Sequence, residues 1–184
     1  EYVSLAGLQA AAYQRDDNVV IAYRGTEIEP EFPKIFSDLI MADIVGFFVG
    51  ANVQSIPAKN FMKDVLNKMD GKVNNIYICG HSLGAYSAYM GASEALRNKQ
   101  VGKIKKIVTF NGFGLAYGIM FAHKGYIDFF TVTDFDILKE NAAKITDYRI
   151  KGDPVSGLSL LKLTRHFSSA GFTEKENHFS SVIE

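Results

Sequence analysis

The chain has 184 residues, of which 47% are hydrophobic and 12% aromatic, and its 20 Lys and Arg balance its 20 Asp and Glu. This length predicts one domain, residues 1–184, with a core large enough to need neither metal nor disulfides. The single Cys79 excludes an internal disulfide. A formal charge of zero without any basic run argues against nucleic acid or an anionic membrane surface as a partner.

No stretch of the sequence reaches the roughly 18 apolar residues that a membrane-spanning helix needs. The best candidate, residues 39–51, is interrupted by Asp43 and Gly46. We therefore expect a soluble domain with no transmembrane segment. Because the sequence starts at Glu1, we expect it to be part of a longer chain, and it leaves open whether that chain is cytoplasmic, secreted or phage-delivered.

Taken in chain order, the first pattern is a β-hairpin. Apolar runs at residues 8–14 and 19–23 flank a polar cluster at 15–18, which is typical of a turn. Apolar residues then recur at helical spacing over 57–69, with Pro57 placed to begin the helix. Residues 76–79 are a short apolar run that predicts a buried strand.

The second half of the chain alternates in the same way. The predicted elements are a helix at 83–97, a strand at 104–110, a helix at 134–143 capped by Thr133 or Asp134, and a strand at 144–150. Residues 112–130 have too little periodicity to assign. Strands that alternate with helices predict an α/β domain with layers around a mostly parallel central sheet, and a site at the carboxyl ends of its strands.

One motif of chemical interest lies where a strand ends and a helix begins. Residues 80–84, Gly-His-Ser-Leu-Gly, match the Gly-x-Ser-x-Gly pattern of a nucleophile elbow. Such a turn lifts the Ser82 hydroxyl out of the sheet and puts it at a helix N-terminus, where an oxyanion is favoured. The N–H of Leu83 is the expected first oxyanion donor. The alternative is that the two glycines only pack a tight strand-to-helix turn.

Four motifs in one order extend this interpretation: VIAYRGT at 20–26, GHSLGA at 80–85, IVTFNG at 107–112 and GDPV at 152–155. Together they resemble the class 3 lipases, a branch of the α/β-hydrolases, and most of all their short bacterial and phage members. The resemblance implies an α/β-hydrolase-like three-layer fold and acyl ester substrates. The sequence departs from the family at Ala85, where many members have Gly, and at Asp38-Leu39, where many have Asp-Trp.

A serine nucleophile needs a base, and the chain has four histidines. His81 neighbours Ser82 on the elbow and is expected to be a packing residue. His123 precedes the best acid, against the Ser, acid, His order of α/β-hydrolases. His166 lies in an alternating, strand-like segment, whereas His178 lies at a loop-to-helix junction, where the resemblance also puts the base. We therefore favour His178 over His166.

Asp153 is the expected acid of the triad, because it follows the 144–150 strand through a tight turn and matches the family motif. It is also explained as an ordinary Gly-Asp-Pro turn residue. Its rivals, Asp134, Asp136 and Asp147, are better explained as a helix cap or as solvated surface charges.

The resemblance assigns the second oxyanion donor to Thr26 and suggests that an aspartate orients it, with Asp43 favoured over Asp38. The alternative is a simple strand exit and a surface charge. Apolar runs at 44–49 and 113–121 are more typical of core, although some of their residues would suit an acyl-chain groove. The segment 27–34, the lid of larger relatives, is short and acidic, which argues against strong activation at an oil surface.

These residues predict a serine carboxylic-ester hydrolase, that is, a lipase, phospholipase or esterase. Its triad would be Ser82, Asp153 and His178, with Thr26 and Leu83 as oxyanion donors and Asp43 as support. No metal or organic cofactor is expected, and the partner is an acyl ester or lipid, with transient contact to a lipid surface. Two alternatives remain open: an acyltransferase with the same triad, and a non-catalytic hydrolase-fold binding module.

Overall fold

The structure is a computed structural model, and it describes residues 2–3, 8–25, 54–69, 71–98, 100–112, 114–116, 132–150, 164–165 and 172–173. Predictions for residues between these ranges lie outside the described part of the chain. In the described residues the domain is α/β, with a mostly parallel sheet.

The predicted strands and helices occur in the predicted order, together with four two-residue strands. The strands are β1 Tyr2–Val3, β2 Gln9–Arg15, β3 Asn18–Tyr23, β4 Asn75–His81, β5 Ile104–Phe110, β6 Leu115–Ala116, β7 Ile145–Ile150, β8 Thr164–Arg165 and β9 Phe172–Thr173. The helices are α1 over residues 54–68, α2 Leu83–Arg97 and α3 Val132–Glu140, with a 3₁₀ turn at Ala142–Lys144.

Seven strands form one sheet in the order β1-β2-β3-β4-β5-β7-β9. The β2–β3 hairpin is antiparallel, as predicted, and turns through Asp16 and Asp17. From β3 onward each strand pairs in parallel with the next in the sheet. The carboxyl ends of β3, β4, β5 and β7 therefore meet at one edge of the sheet.

The buried face of the sheet carries the core. Along β3 and β4 every second residue is buried, and these positions include Ile21, Ile76 and Ile78. Tyr23 at the end of β3 reaches α1, where its hydroxyl donates to the carbonyl of Ala58 at 3.1 Å. The opposite face exposes aromatic side chains that include stacked rings of Phe110 and Tyr148.

Helix α2 lies at the centre of the described packing. It contacts β3, β4, β5 and α3, and all of its residues from Leu83 to Leu96 are buried. Small residues, including Ala85, Ala88, Ala92 and Ala95, let this helix approach its neighbours closely. The carboxyl end of β4 and the amino end of α2 are consequently held by contacts on several sides.

The structure corrects the predicted boundaries of two helices. Helix α1 already includes residues 54–56, so Pro57 lies inside its beginning rather than at its first residue. Helix α3 includes Val132, so neither Thr133 nor Asp134 is its cap, and it ends at Glu140 rather than Ala143. Among the described helices, none combines the length and hydropathy that crossing a membrane would require.

Candidate active site

The turn between β4 and α2 has an unusual backbone conformation. Ser82 separates His81, the last residue of β4, from Leu83, the first of α2, and has φ 55° and ψ −122°. A positive φ is uncommon for a residue with a side chain and costs free energy. Such strained positions cluster at functional sites, and this one coincides with the serine of the Gly-x-Ser-x-Gly motif.

Both glycines of the motif are required by close backbone contacts. A Cβ at Gly80 would lie 2.1 Å from the carbonyl oxygen of Gly84, so the turn could not close on itself. A Cβ at Gly84 would lie 2.2 Å from the carbonyl oxygen of Tyr23, so α2 could not pack against the end of β3. The glycines thus do pack a tight turn, and that turn is what gives Ser82 its conformation.

The ends of β3 and β5 lie on either side of this turn. A Cβ at Gly25 would lie 2.6 Å from the carbonyl oxygen of His81 and 3.3 Å from the Cβ of Ser82. On the β5 side, the Ser82 N–H donates to the carbonyl of Phe110 at 3.0 Å. The serine is therefore held between the two loops that leave its neighbouring strands.

The side chain of Ser82 is partly exposed, and within the described residues it makes no capping hydrogen bond to α2. The first N–H groups of a helix have no acceptor within it, and the helix dipole adds positive potential there. No acidic residue lies in the first turn of α2 to offset that potential. This end of α2, which includes the N–H of Leu83, is therefore suited to a developing negative charge.

Of the predicted site residues, the structure describes Ser82 and Leu83 and brings them together at the elbow. The other predicted residues, Thr26, Asp43, Asp153 and His178, lie outside the described residues, as do Asp38, His123 and His166. Their predicted roles therefore stay predictions. His81 is described and is exposed at the end of β4, so its interpretation as a packing residue was wrong.

Two of the three rival aspartates are not where the sequence analysis put them. Asp136 is exposed on α3, as expected for a surface charge. Asp134 and Asp147 are 0% and 1% exposed, so neither is a solvated surface charge. Both carboxylates accept hydrogen bonds from residues of other elements, but the donors to Asp147 are hydroxyls whereas those to Asp134 include two cations.

Asp147 lies on β7 beside Thr109 of β5 and beneath α2. Its carboxylate accepts hydrogen bonds from the hydroxyls of Thr109 and Tyr89. Burial raises the pKa of Tyr89 well above its ordinary value, and the charge of Asp147 raises it further. Because Asp147 pairs with Thr109, one register position before Phe110, and points at α2, it serves the packing rather than the serine.

Asp134 joins the three described helices. It accepts from Lys59 of α1 at 2.7 Å, from Arg97 of α2 at 2.6 Å and from the hydroxyl of Ser93 at 3.0 Å. Burial by itself would raise the pKa of Asp134, but the hydrogen bonds from Lys59 and Arg97 outweigh it and hold the pKa below its ordinary value. The carboxylate is therefore ionised at neutral pH.

The described residues also include the single cysteine of the chain. Cys79, two residues before the motif's His81, is half-buried, and burial raises the pKa of its thiol. A raised pKa disfavours the thiolate that a nucleophilic cysteine needs. No group of three His, Cys, Asp or Glu side chains in the described part of the chain is arranged to hold a metal ion.

The sequence analysis quoted Gly25, Asn111 and Gly112 within its motifs at 20–26 and 107–112 but gave none of them a role, and in the structure all three lie in the loops that flank the elbow. Gly25 and Gly112 are glycines two residues beyond the carboxyl ends of β3 and β5, and this position was a usable signal. Asn111 follows β5 and has φ 47°, a conformation for which asparagine is better suited than most residues.

Comparison with known proteins finds no family model that matches the chain and no curated protein that matches it. Inference about function accordingly starts from Ser82 and the groups around it.

Proposed function

We propose that this chain is a serine carboxylic-ester hydrolase with an α/β-hydrolase fold. The observation that carries the proposal is the backbone of Ser82, which has φ 55° and ψ −122° at the junction of a parallel strand and a helix. A serine in this conformation presents its hydroxyl above the carboxyl edge of the sheet and next to a helix N-terminus. A domain that only packs its core would gain nothing from this strain.

The surroundings of Ser82 support the same chemistry. An oxyanion hole in this fold takes one N–H from the residue after the nucleophile and another from the loop after an early strand. Leu83, the residue after Ser82, is the proposed source of the first N–H. The loop after β3 includes Gly25, where a Cβ would approach the Cβ of Ser82 to 3.3 Å. Thr26, the next residue, is the proposed second donor, and Asp43 is proposed to orient it.

In the proposed reaction, the hydroxyl oxygen of Ser82 attacks the carbonyl carbon of the ester while His178 accepts the hydroxyl proton. Asp153 keeps His178 in the correct tautomer and stabilises the imidazolium. The carbonyl oxygen becomes an oxyanion that the N–H groups of Leu83 and Thr26 stabilise. His178 then returns the proton to the leaving alkoxide, and an acyl-enzyme remains.

Water completes the proposed cycle. His178 takes a proton from a water molecule, which attacks the acyl-enzyme carbonyl and forms a second tetrahedral intermediate at the same oxyanion site. Collapse of this intermediate breaks the bond to Ser82 and returns the proton to the serine oxygen. The acid is released and the enzyme is restored, with no net oxidation or reduction and with no co-substrate other than water.

The test compares wild type, Ser82→Ala and a matched control on p-nitrophenyl esters from acetate to palmitate. Ser87→Ala is the control, because Ser87 is a buried serine of the same helix whose hydroxyl donates to Gln54 at 3.2 Å. We expect turnover in wild type and in Ser87→Ala and a loss of several orders of magnitude in Ser82→Ala. The dependence on chain length then distinguishes lipase-like from esterase-like preference.

A fluorophosphonate probe separates the alternatives. Mass spectrometry of wild type should locate one phosphonyl group on the peptide that contains Ser82, and no label on Ser82→Ala. Labelling without ester hydrolysis would favour transfer of the acyl group to an acceptor other than water. The absence of both labelling and turnover would contradict the hydrolase proposal and would favour a binding module.

A further inference from the structure

Asn111 lies at the point where β5 ends, and it contacts β7 in two ways. Its backbone N–H donates to the carbonyl of Tyr148 at 2.8 Å. Its side-chain amide oxygen accepts from the N–H of Ile150 at 2.9 Å. The residue is 9% exposed, so water competes little for this side-chain bond.

The side-chain bond replaces a bond of the sheet. In a parallel pair the hydrogen bonds alternate evenly along the two strands, so the N–H of Ile150 would next meet the backbone carbonyl of Asn111. The regular pairing of β5 with β7 stops at Phe110 and Tyr148. With φ 47°, Asn111 turns the backbone away, and its amide oxygen takes the place of its own carbonyl. The end of β7 thereby keeps its partner while β5 turns off.

The same turn contacts the elbow on its other side. The carbonyl of Phe110 accepts from the N–H of Ser82 at 3.0 Å. A Cβ at Gly112 would lie 2.6 Å from the Cβ of Ala85, in the first turn of α2. Residues 110–112 therefore touch the nucleophile turn and the end of β7 at once, and Asn111 is the member whose side chain binds the N–H of Ile150 at the end of β7.

We infer that Asn111 is a positioning residue, which fixes the end of β7 relative to Ser82 for the proposed hydrolysis. The chain continues from Ile150 to the proposed acid, Asp153, three residues further on. The inference rests on the proposed function, because it assigns Asn111 a role in aligning that acid and its base with the serine. Small displacements matter in such a site, since a shift of about 1 Å at a catalytic group can reduce the rate about 100-fold.

The test uses two variants of Asn111 and one matched control in the full chain. Asn111→Gly accommodates the positive φ but removes the amide oxygen, whereas Asn111→Asp keeps an acceptor oxygen at the same place. Asn141→Gly is the control, because Asn141 also uses its side-chain amide to bond a backbone group, donating to the carbonyl of Ile137 at 2.9 Å. Asn141 lies beyond the end of α3 and belongs to no part of the proposed site.

We expect Asn111→Gly to lower kcat for ester hydrolysis by about 10- to 100-fold with KM little changed, since alignment rather than binding is lost. Asn111→Asp should recover most of kcat. Asn141→Gly should lower the melting temperature but leave kcat at the wild-type value. All rates are compared well below each variant's melting temperature, so that loss of folded protein does not enter.

A double-mutant cycle decides whether Asn111 acts through the acid. In an Asp153→Asn background, Asn111→Gly should cause no further loss of kcat, because residues that act as a unit are non-additive. An equal loss in both backgrounds, or wild-type kcat in Asn111→Gly, would overturn the inference while Ser82-dependent turnover left the proposed function intact. Wild type without Ser82-dependent turnover would overturn the proposed function, and this inference with it.

Discussion

Tyr89 of α2 donates its hydroxyl to the carboxylate of Asp147 on β7, and both side chains are buried. Thr109 on β5 donates to the same carboxylate oxygen. This cluster ties the middle of α2 to two neighbouring strands, one register position before Phe110, whose carbonyl accepts from Ser82. Burial, reinforced by the charge of Asp147, keeps the pKa of Tyr89 well above its ordinary value and the phenol neutral.

Replacing Tyr89 with Phe should lower the free energy of unfolding by about 1–3 kcal/mol at neutral pH, because the buried Asp147 loses a donor. The folded pKa of Tyr89 is raised above its unfolded value of about 10, so this contribution is complete below pH 10 and declines as the pH rises. The gap between wild type and Tyr89→Phe should therefore narrow by about 1.4 kcal/mol per pH unit above pH 10. Urea unfolding of both proteins from neutral to alkaline pH measures this difference in the free energy of unfolding. A difference that does not change with pH would show that the buried phenol is not its cause.

The Asp134 cluster predicts the opposite pH dependence. The hydrogen bonds from Lys59 and Arg97 hold the folded pKa below the unfolded value of about 3.9, so their stabilisation is complete above that value and is lost as the pH falls. Asp134→Asn should lower the free energy of unfolding at neutral pH by about 3 kcal/mol, since it leaves two cations with a neutral partner. The difference from wild type should shrink in acid. Unfolding curves at neutral pH and at successively lower pH test this.

Asp136→Asn is the matched control for Asp134→Asn, because Asp136 lies on the same helix and is exposed. Its effect on the free energy of unfolding should stay within about 0.5 kcal/mol at neutral pH. Equal losses in the two variants would mean that α3 responds to any change of charge, and the role assigned to the buried cluster would be wrong.

The buried carboxylate of Asp134 shows why part of the structure was not predictable from the sequence. The hairpin strands β2 and β3, the strands β4, β5 and β7, and α2 were predicted within about two residues at each end because apolar spacing and turn residues are local signals. The beginning of α3 was missed because Asp134 reads locally as a cap. Its actual partners, Lys59 and Arg97, are remote in sequence, and only the packing of three helices brings them together.

The candidate site also has a part that was predictable from the sequence and a part that was not. The strand-to-helix turn at Ser82 was predictable because its signal is contained in five consecutive residues, and a Cβ added at either glycine of the motif would lie less than 2.5 Å from a backbone oxygen. Gly25 and Asn111 lie in the motifs quoted at 20–26 and 107–112, but those motifs do not say what the two residues contact. Their importance comes from distances to His81, Ser82 and Ile150, which belong to other strands or to the elbow.

Gly84→Ala tests the contact that seats α2 against β3. The new Cβ would lie 2.2 Å from the carbonyl oxygen of Tyr23, a backbone atom that cannot move aside on its own. We expect a loss of about 1–3 kcal/mol in the free energy of unfolding and a fall in ester turnover, because α2 and the Leu83 N–H shift together. Gly102→Ala is the control, since among the described residues no atom beyond its two chain neighbours lies within 4 Å of its added Cβ. Wild-type stability and turnover in Gly84→Ala would contradict the close contact.

The backbone conformation at position 82 should favour glycine over a residue with a side chain, so serine there lowers the free energy of unfolding. A side chain at φ 55° and ψ −122° is strained, at a cost of about 1–3 kcal/mol, and glycine relieves that strain while adding roughly 0.4–1 kcal/mol of unfolded-state entropy. Ser82→Gly should therefore unfold at a higher urea concentration than Ser82→Ala, with a free energy of unfolding about 1 kcal/mol higher, and we expect neither variant to hydrolyse esters. Alanine keeps the strained Cβ and lacks the hydroxyl, so the comparison isolates the backbone from the chemistry. Equal midpoints for the two variants would show that the strain at Ser82 is no larger than this entropy cost of about 0.4–1 kcal/mol, and the conformation of Ser82 would then need another explanation.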